Sequence, residues 1–136
     1  MLSAAADQLS SRMPKVVSLR RHSIADKLVA GVFLVAGVLL WRRSRRAALG
    51  SLVCGGAALA VNALTDYDGD GGRLIGPPLH GQLDIALAGL TAAMPEVLSL
   101  DGDEGRRFFQ VQAGVITVVA NLTDFSGDAQ PDFEAD

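Results

Sequence analysis

Charge is missing from long stretches of this chain, and its absence bears directly on the class of protein. Residues 28–41, 47–65 and 108–123 hold no Asp, Glu, Lys or Arg, and residues 85–100 are interrupted only by Glu96. A water-soluble helical bundle needs a polar face on each helix, whereas residues 28–41 and 47–63 are apolar or small all round. Cysteine is nearly absent as well. Cys54 has no partner, so no disulfide framework exists. A reactive thiol needs a base and partial exposure, and a lone Cys in an apolar run reads as a packing residue. No nucleophile–base arrangement, phosphate loop, Cys–His cluster or lipidation signal occurs. Neither enzymatic activity nor a cofactor is therefore expected. The basic run Arg42-Arg43-Ser44-Arg45-Arg46 is too short and too close to apolar segments for a nucleic-acid surface. It also takes the place of a small-residue cleavage site, so the first apolar run does not read as a cleaved signal peptide.

What is present points to the lipid bilayer as the partner. Hydrophobic residues make up 49% of the chain and the mean hydropathy is +0.30, higher than soluble domains of this size usually show. Four spans are predicted, at residues 24–41, 47–64, 83–100 and 108–125. Each is near the lower limit for crossing a membrane, since 18 residues rise about 27 Å. The third is the most polar, with Asp84, Thr91, Pro95 and Glu96. Lys27 can extend to the interface, where Trp41 and Tyr67 are favoured as anchors. Small residues allow close helix approach in lipid, notably the pairs Ser51/Gly55 and Gly50/Cys54. A homo-oligomer through such faces is a further expectation. Residues 1–21 form a basic, amphipathic segment that fits a surface helix or an unstructured arm. Residues 129–136 form an acidic tail.

The chain matches itself without a gap at an offset of 58. His22 falls on His80, Asp26 on Asp84, Ala30-Gly31 on Ala88-Gly89 and Gly56 on Gly114, and Leu64-Thr65-Asp66-Tyr67 falls on Leu122-Thr123-Asp124-Phe125. Thirteen of 49 paired positions between residues 22 and 70 are identical, polar ones included, which shared hydrophobicity does not explain. The expected membrane domain, residues 22–128, is thus a duplication with repeats at 22–70 and 80–128. The predicted fold is all-α: a four-helix transmembrane bundle of two tandem parallel two-helix repeats. Because each unit contains two spans, both copies start from the same side.

That topology gathers polar residues. His22, Asp26, Thr65, Asp66, His80, Asp84, Thr123 and Asp124 are all expected at one membrane face, opposite the arginine turn. His and Asp at i and i+4 share a helix face. An acid at a helix C-terminus opposes the helix dipole, so Asp66 and Asp124 call for partners such as His22, His80, Arg20 or Arg21. The first reading of this ring is structural, tying one hairpin to the next. The alternative is ion or proton handling, against which the mid-span residues offer no relay. The His and Asp residues would suit a divalent ion, but no metal ligand is assigned. Asp66-Tyr67-Asp68-Gly69-Asp70-Gly71 opens like a calcium loop, yet Pro77 stands where its bidentate acid belongs. The sequon Asn121-Leu122-Thr123 sits at a span end, out of reach of a glycosyltransferase.

The pattern His80-x3-Asp84-x4-Gly89-x5-Pro95, followed by a turn and another span, resembles the SPW-repeat type of small prokaryotic membrane protein. The resemblance covers about residues 20–125 and implies tandem two-span units, with no catalytic residue and no ligand. The chain departs at the signature itself, where Met94-Pro95-Glu96 and, in the first copy, Ala36-Gly37-Val38 occupy the Ser-Pro-Trp position. Six arginines lie in the turns at 42–46 and 101–107 and six basic residues lie on the other side; close to the spans the turns have the excess, so they are expected on the cytoplasmic side of a multi-pass cell-membrane protein.

Overall fold

Local sequence signals start each helix, and they act earlier than the hydropathy runs imply. The structure, a computed structural model, describes Gln8 and residues 12–126, and the acidic tail lies outside them. Ser18 caps α1 (Leu19–Leu40) by accepting from the backbone N–H of Arg21. Ser44 does the same for α2 (Arg45–Leu64) through the N–H of Ala47. Pro77 and Pro78 open α3 (Pro77–Val97), where a missing N–H costs nothing. Gly102 precedes α4 (Asp103–Leu122). The fold is all-helical, with these four helices and no strand element among the described residues.

The expected spans are therefore displaced from the helices. α1 begins at Leu19 rather than residue 24, and α3 at Pro77 rather than residue 83. The reason is physical: Arg20, Arg21, His22, His80 and Gln82 fall outside an apolar run but belong to the same helices. Similarly, α4 runs Asp103–Leu122 rather than over residues 108–125. Of the expected N-terminal segment, residues 1–7 and 9–11 lie outside the described residues, Met13–Val16 is not helical, and residues 19–21 already belong to α1.

α1 packs on α2 and α3 on α4 as two hairpins, and α2–α3 and α1–α4 contacts join them. The core between them is built from Ala30, Phe33, Cys54, Leu87, Met94, Phe109 and Ile116. Phe33 and Phe109 are fully buried, with ring centroids 6.4 Å apart. Small residues set the helix spacing: a Cβ on Gly55 would sit 2.9 Å from Phe33 Cβ, and one on Gly50 2.5 Å from Leu98 Cδ1. Cys54 is buried at this level and accepts from Thr91 Oγ1 at 3.7 Å. Two helices, α1 and α2, are long and apolar enough to cross a membrane.

The duplication extends further than residue 22. Val17 and Ile75, 58 positions apart, each form an isolated parallel bridge with the end of the other repeat's second helix, to Thr123 and Thr65. Val17 N–H donates to Leu122 O at 3.0 Å, and Ile75 N–H to Leu64 O at 3.0 Å. Lys15 Nζ donates to Asn121 O and Arg73 Nη1 to Ala63 O, both at 2.7 Å. Each cation thus caps orphan carbonyls at a helix C-terminus.

Candidate polar site between the two repeats

The site assembles from the two helix starts and the two helix ends that meet at one end of the bundle. α1 presents His22 and Asp26 on one face, α3 presents His80 and Asp84, and Thr65 and Thr123 are the C-caps of α2 and α4. His22 and His80 are each 1% exposed and Asp84 is 5% exposed. Their Nε2 atoms face each other at 3.1 Å. His22 Nε2 lies 2.8 Å from Asp84 Oδ2 and 3.2 Å from Asp26 Oδ1. His80 Nε2 lies 3.0 Å from Asp26 Oδ2 and 3.2 Å from Asp84 Oδ2. The shortest His–Asp contacts cross from one repeat to the other.

The threonines fix the imidazole tautomers. Thr123 Oγ1 is 2.7 Å from Val119 O, and Thr65 Oγ1 is 2.6 Å from Val61 O. Two oxygens so close repel unless a proton lies between them, so each hydroxyl donates to its carbonyl. The same oxygens lie 2.8 Å from His22 Nδ1 and 2.7 Å from His80 Nδ1. Having spent their one proton, they accept there, and both rings carry a proton on Nδ1. In a neutral ring, Nε2 then points a lone pair at the centre. Without a proton or a cation at the centre, two nitrogen lone pairs and two carboxylates would converge there at 2.8–3.2 Å.

The two halves differ in their support. Tyr67 Oη donates to Asp26 Oδ2 at 3.1 Å, and Asn62 Nδ2 donates to Tyr67 Oη at 2.9 Å and to Ser23 O at 3.1 Å. Burial, reinforced by the Asp26 charge, pushes the Tyr67 hydroxyl pKa above its ordinary value, so it stays a donor. The equivalents of Asn62 and Tyr67 in the second repeat are Ala120 and Phe125, which supply no donor to Asp84. Phe125 instead packs edge-on against His22, at 4.9 Å between centroids. Two equivalent crevices flank the cluster. One, of about 910 Å³, is bordered by Arg20, Asn62 and Tyr67, and the other, of about 400 Å³, by Pro78, Ala120 and Phe125.

Six of the eight expected residues come together: His22, Asp26, Thr65, His80, Asp84 and Thr123. Asp66 and Asp124 lie next to this group but turn away. Asp66 accepts from Gly71 N–H at 2.7 Å and Gly69 N–H at 3.0 Å, and both glycines have positive φ. Asp124 accepts from Ser126 N–H at 2.9 Å. These backbone donors hold both carboxyls below the usual range. The expected His or Arg partners for the two acids are thus replaced by backbone N–H groups, which reach them first in a tight turn. In the acidic loop, Asp70 likewise accepts from Gly72 N–H. Lys15, Asn62 and Arg73 were not anticipated as contributors. Extending the 58-residue offset to Lys15 and Arg73 pairs two cations and would have found those two.

Fold and site together define a class: two tandem helical hairpins locked by a buried His–Asp–Thr cluster at one end. No protein family, curated protein or solved structure matches the chain.

Proposed function

We propose that the chain is a four-span, multi-pass protein of the cell membrane with a structural or interaction role rather than an enzymatic one. The observation that carries this reading is the inverted distribution of polarity. Large apolar residues stand exposed on every helix: Leu28 and Val38 on α1, Leu49 and Val53 on α2, Ile85 and Val97 on α3, Val111 and Val118 on α4. His22, His80, Asp84, Asn62 and Thr91 are buried. Water favours the opposite arrangement, and exposed apolar faces of this extent call for a partner; lipid is the partner that covers all four helices. α3 and α4 fall short of a spanning helix by average hydropathy: α3 holds His80 and Asp84, which face inward, beside the exposed Gln82 and Glu96, and α4 opens with Asp103, Glu104, Arg106 and Arg107 and carries Gln110 and Gln112. The resemblance to tandem two-span proteins supports the same reading, with the cluster tying hairpin to hairpin and the turns at 42–46 and 101–107 cytoplasmic.

The test is alkaline carbonate extraction combined with labelling of single cysteines in the turns. The chain is expected to stay in the membrane pellet, with both turns on one side. Release into the supernatant, or turns on opposite sides, would refute the reading. A second reading, ion or proton handling, is favoured by one observation, the two buried ring nitrogens at 3.1 Å. Below them, however, Phe33, Leu87 and Phe109 dominate the described interior, and the buried Ser51, Cys54 and Thr91 there are non-ionised groups that make no chain to the cluster. Flux in proteoliposomes that H22Q abolishes would favour this second reading.

A further inference from the structure

We propose that His22, Asp26, His80 and Asp84 form a binding site for one divalent transition-metal ion of the zinc type. The inference rests on reading the cluster as the tie between the hairpins, and it names what completes the tie. One ligand atom from each residue can be chosen so that all four lie within 4.8 Å of one another. The nitrogen–nitrogen and nitrogen–oxygen contacts run from 2.8 to 3.2 Å, with Asp26 meeting His22 through Oδ1 and His80 through Oδ2. A tetrahedral ion with bonds of about 2.0–2.1 Å needs ligand–ligand edges of about 3.3–3.4 Å. The short edges therefore need a few tenths of an ångström of expansion and the widest, at up to 4.8 Å, needs contraction, both within reach of aspartate side-chain rotation with the helices in place.

The proton inventory points the same way. With Nδ1–H given to threonine on each ring, both Nε2 lone pairs face inward with the carboxylates, and such a centre requires positive charge. Two protons would make two imidazoliums, each donating to the aspartate of the other repeat but with their nitrogens only 3.1 Å apart. One divalent ion instead takes all four donors, and its charge cancels that of the two aspartates. Nitrogen and oxygen donors without thiolate fit zinc and its neighbours. The surroundings have the usual features of a metal's outer shell: Thr123 and Thr65 orient the two imidazoles, and Tyr67 holds Asp26. Four protein ligands and deep burial leave no open position, the mark of a structural site.

The experiment uses full-length protein in detergent, stripped with a chelator and then titrated with Zn²⁺ and, separately, Co²⁺. One equivalent is expected to bind, to raise the melting temperature, and to give tetrahedral Co²⁺ absorption in the visible. Asp84→Asn and His22→Gln should lose binding. Thr65→Val, which keeps all four ligands, should weaken it about 10–100-fold. Absence of both Zn²⁺ uptake and Co²⁺ absorption in the wild-type chain overturns the metal site. If His22→Gln then still lowers stability, the cluster remains a metal-free tie between hairpins; if it does not, the tie falls as well.

Discussion

His22 and His80 stand 58 positions apart in the chain, and their Nε2 atoms meet at 3.1 Å, each ring held by a threonine from the other repeat. Each histidine also contacts both aspartates. Removing one ring from such a buried group leaves the carboxylates under-compensated, at a cost of about 3–5 kcal/mol. His22→Gln and His80→Gln are therefore expected to destabilise the protein by similar amounts. The double variant should lose clearly less than the sum, since neighbours in one network do not add. Unfolding in detergent micelles measures all three. Strict additivity would mean that the rings act independently, contrary to their geometry.

The cluster is symmetric in its ligands but not in their support. Asp26 accepts from Tyr67, whereas the second repeat has Phe125 at the equivalent position. Tyr67→Phe should cost about 1 kcal/mol, the usual net worth of one hydrogen bond. It also removes the acceptor that Asn62 Nδ2 uses at 2.9 Å. In that background Asn62→Ala should cost less than it does alone. A double-mutant cycle that finds no coupling between Tyr67 and Asn62 would dismiss the chain of contacts from Asn62 to Asp26.

How far the sequence discloses this arrangement depends on the kind of residue. Identical polar residues at a fixed offset identify His22, Asp26, His80 and Asp84, because a duplicated, self-associating unit places equivalent side chains around one axis. Helix starts are less legible. A hydropathy run ends at the first polar residue, so α1 and α3 look shorter than they are, although Ser18 and Pro77 mark their true beginnings. The orientation of a carboxylate is not legible at all from the repeat. Asp66 and Asp26 are both duplicated, yet the glycine-rich turn offers Asp66 two nearby N–H groups and so withdraws it from the cluster. Lys15 and Arg73 escape notice because they differ in identity while doing the same work.

Glycines divide into two sets by what surrounds them. Gly55 faces Phe33, where an added Cβ would meet Phe33 Cβ at 2.9 Å, an atom next to the backbone that cannot swing aside. Gly55→Ala should therefore force α1 and α2 apart and cost about 1–3 kcal/mol. Gly56 and its equivalent Gly114 have nothing within 4 Å, so Gly56→Ala and Gly114→Ala should leave the monomer's stability unchanged or slightly improved. The small-residue pairs Ser51/Gly55 and Gly50/Cys54 are buried inside the chain, so a homo-oligomer would use outward faces such as those of Gly56 and Gly114, and the same two variants should then shift cross-linked species toward monomer. An unchanged cross-linking pattern would remove these faces from any assembly.

Asp66 offers a pH test outside the helices. Its carboxyl is held below the ordinary value of 3.8, first by Gly71 N–H and then by Gly69 N–H, both of which favour the ionised form. A group whose pKa is lower folded than unfolded stabilises the fold above its unfolded value and loses that contribution as pH falls through the folded value. The contribution is thus complete near neutrality and begins to fade as acid approaches the ordinary aspartate range. Asp66→Asn keeps the shape of the acceptor but removes the charge. At neutral pH the variant should melt below the wild type, and the gap should close as the pH is taken below 3.8. Melting curves of both proteins across that acid range supply the measurement. A gap that stays constant down to full protonation would show that the turn is held by shape alone, not by the carboxylate's charge.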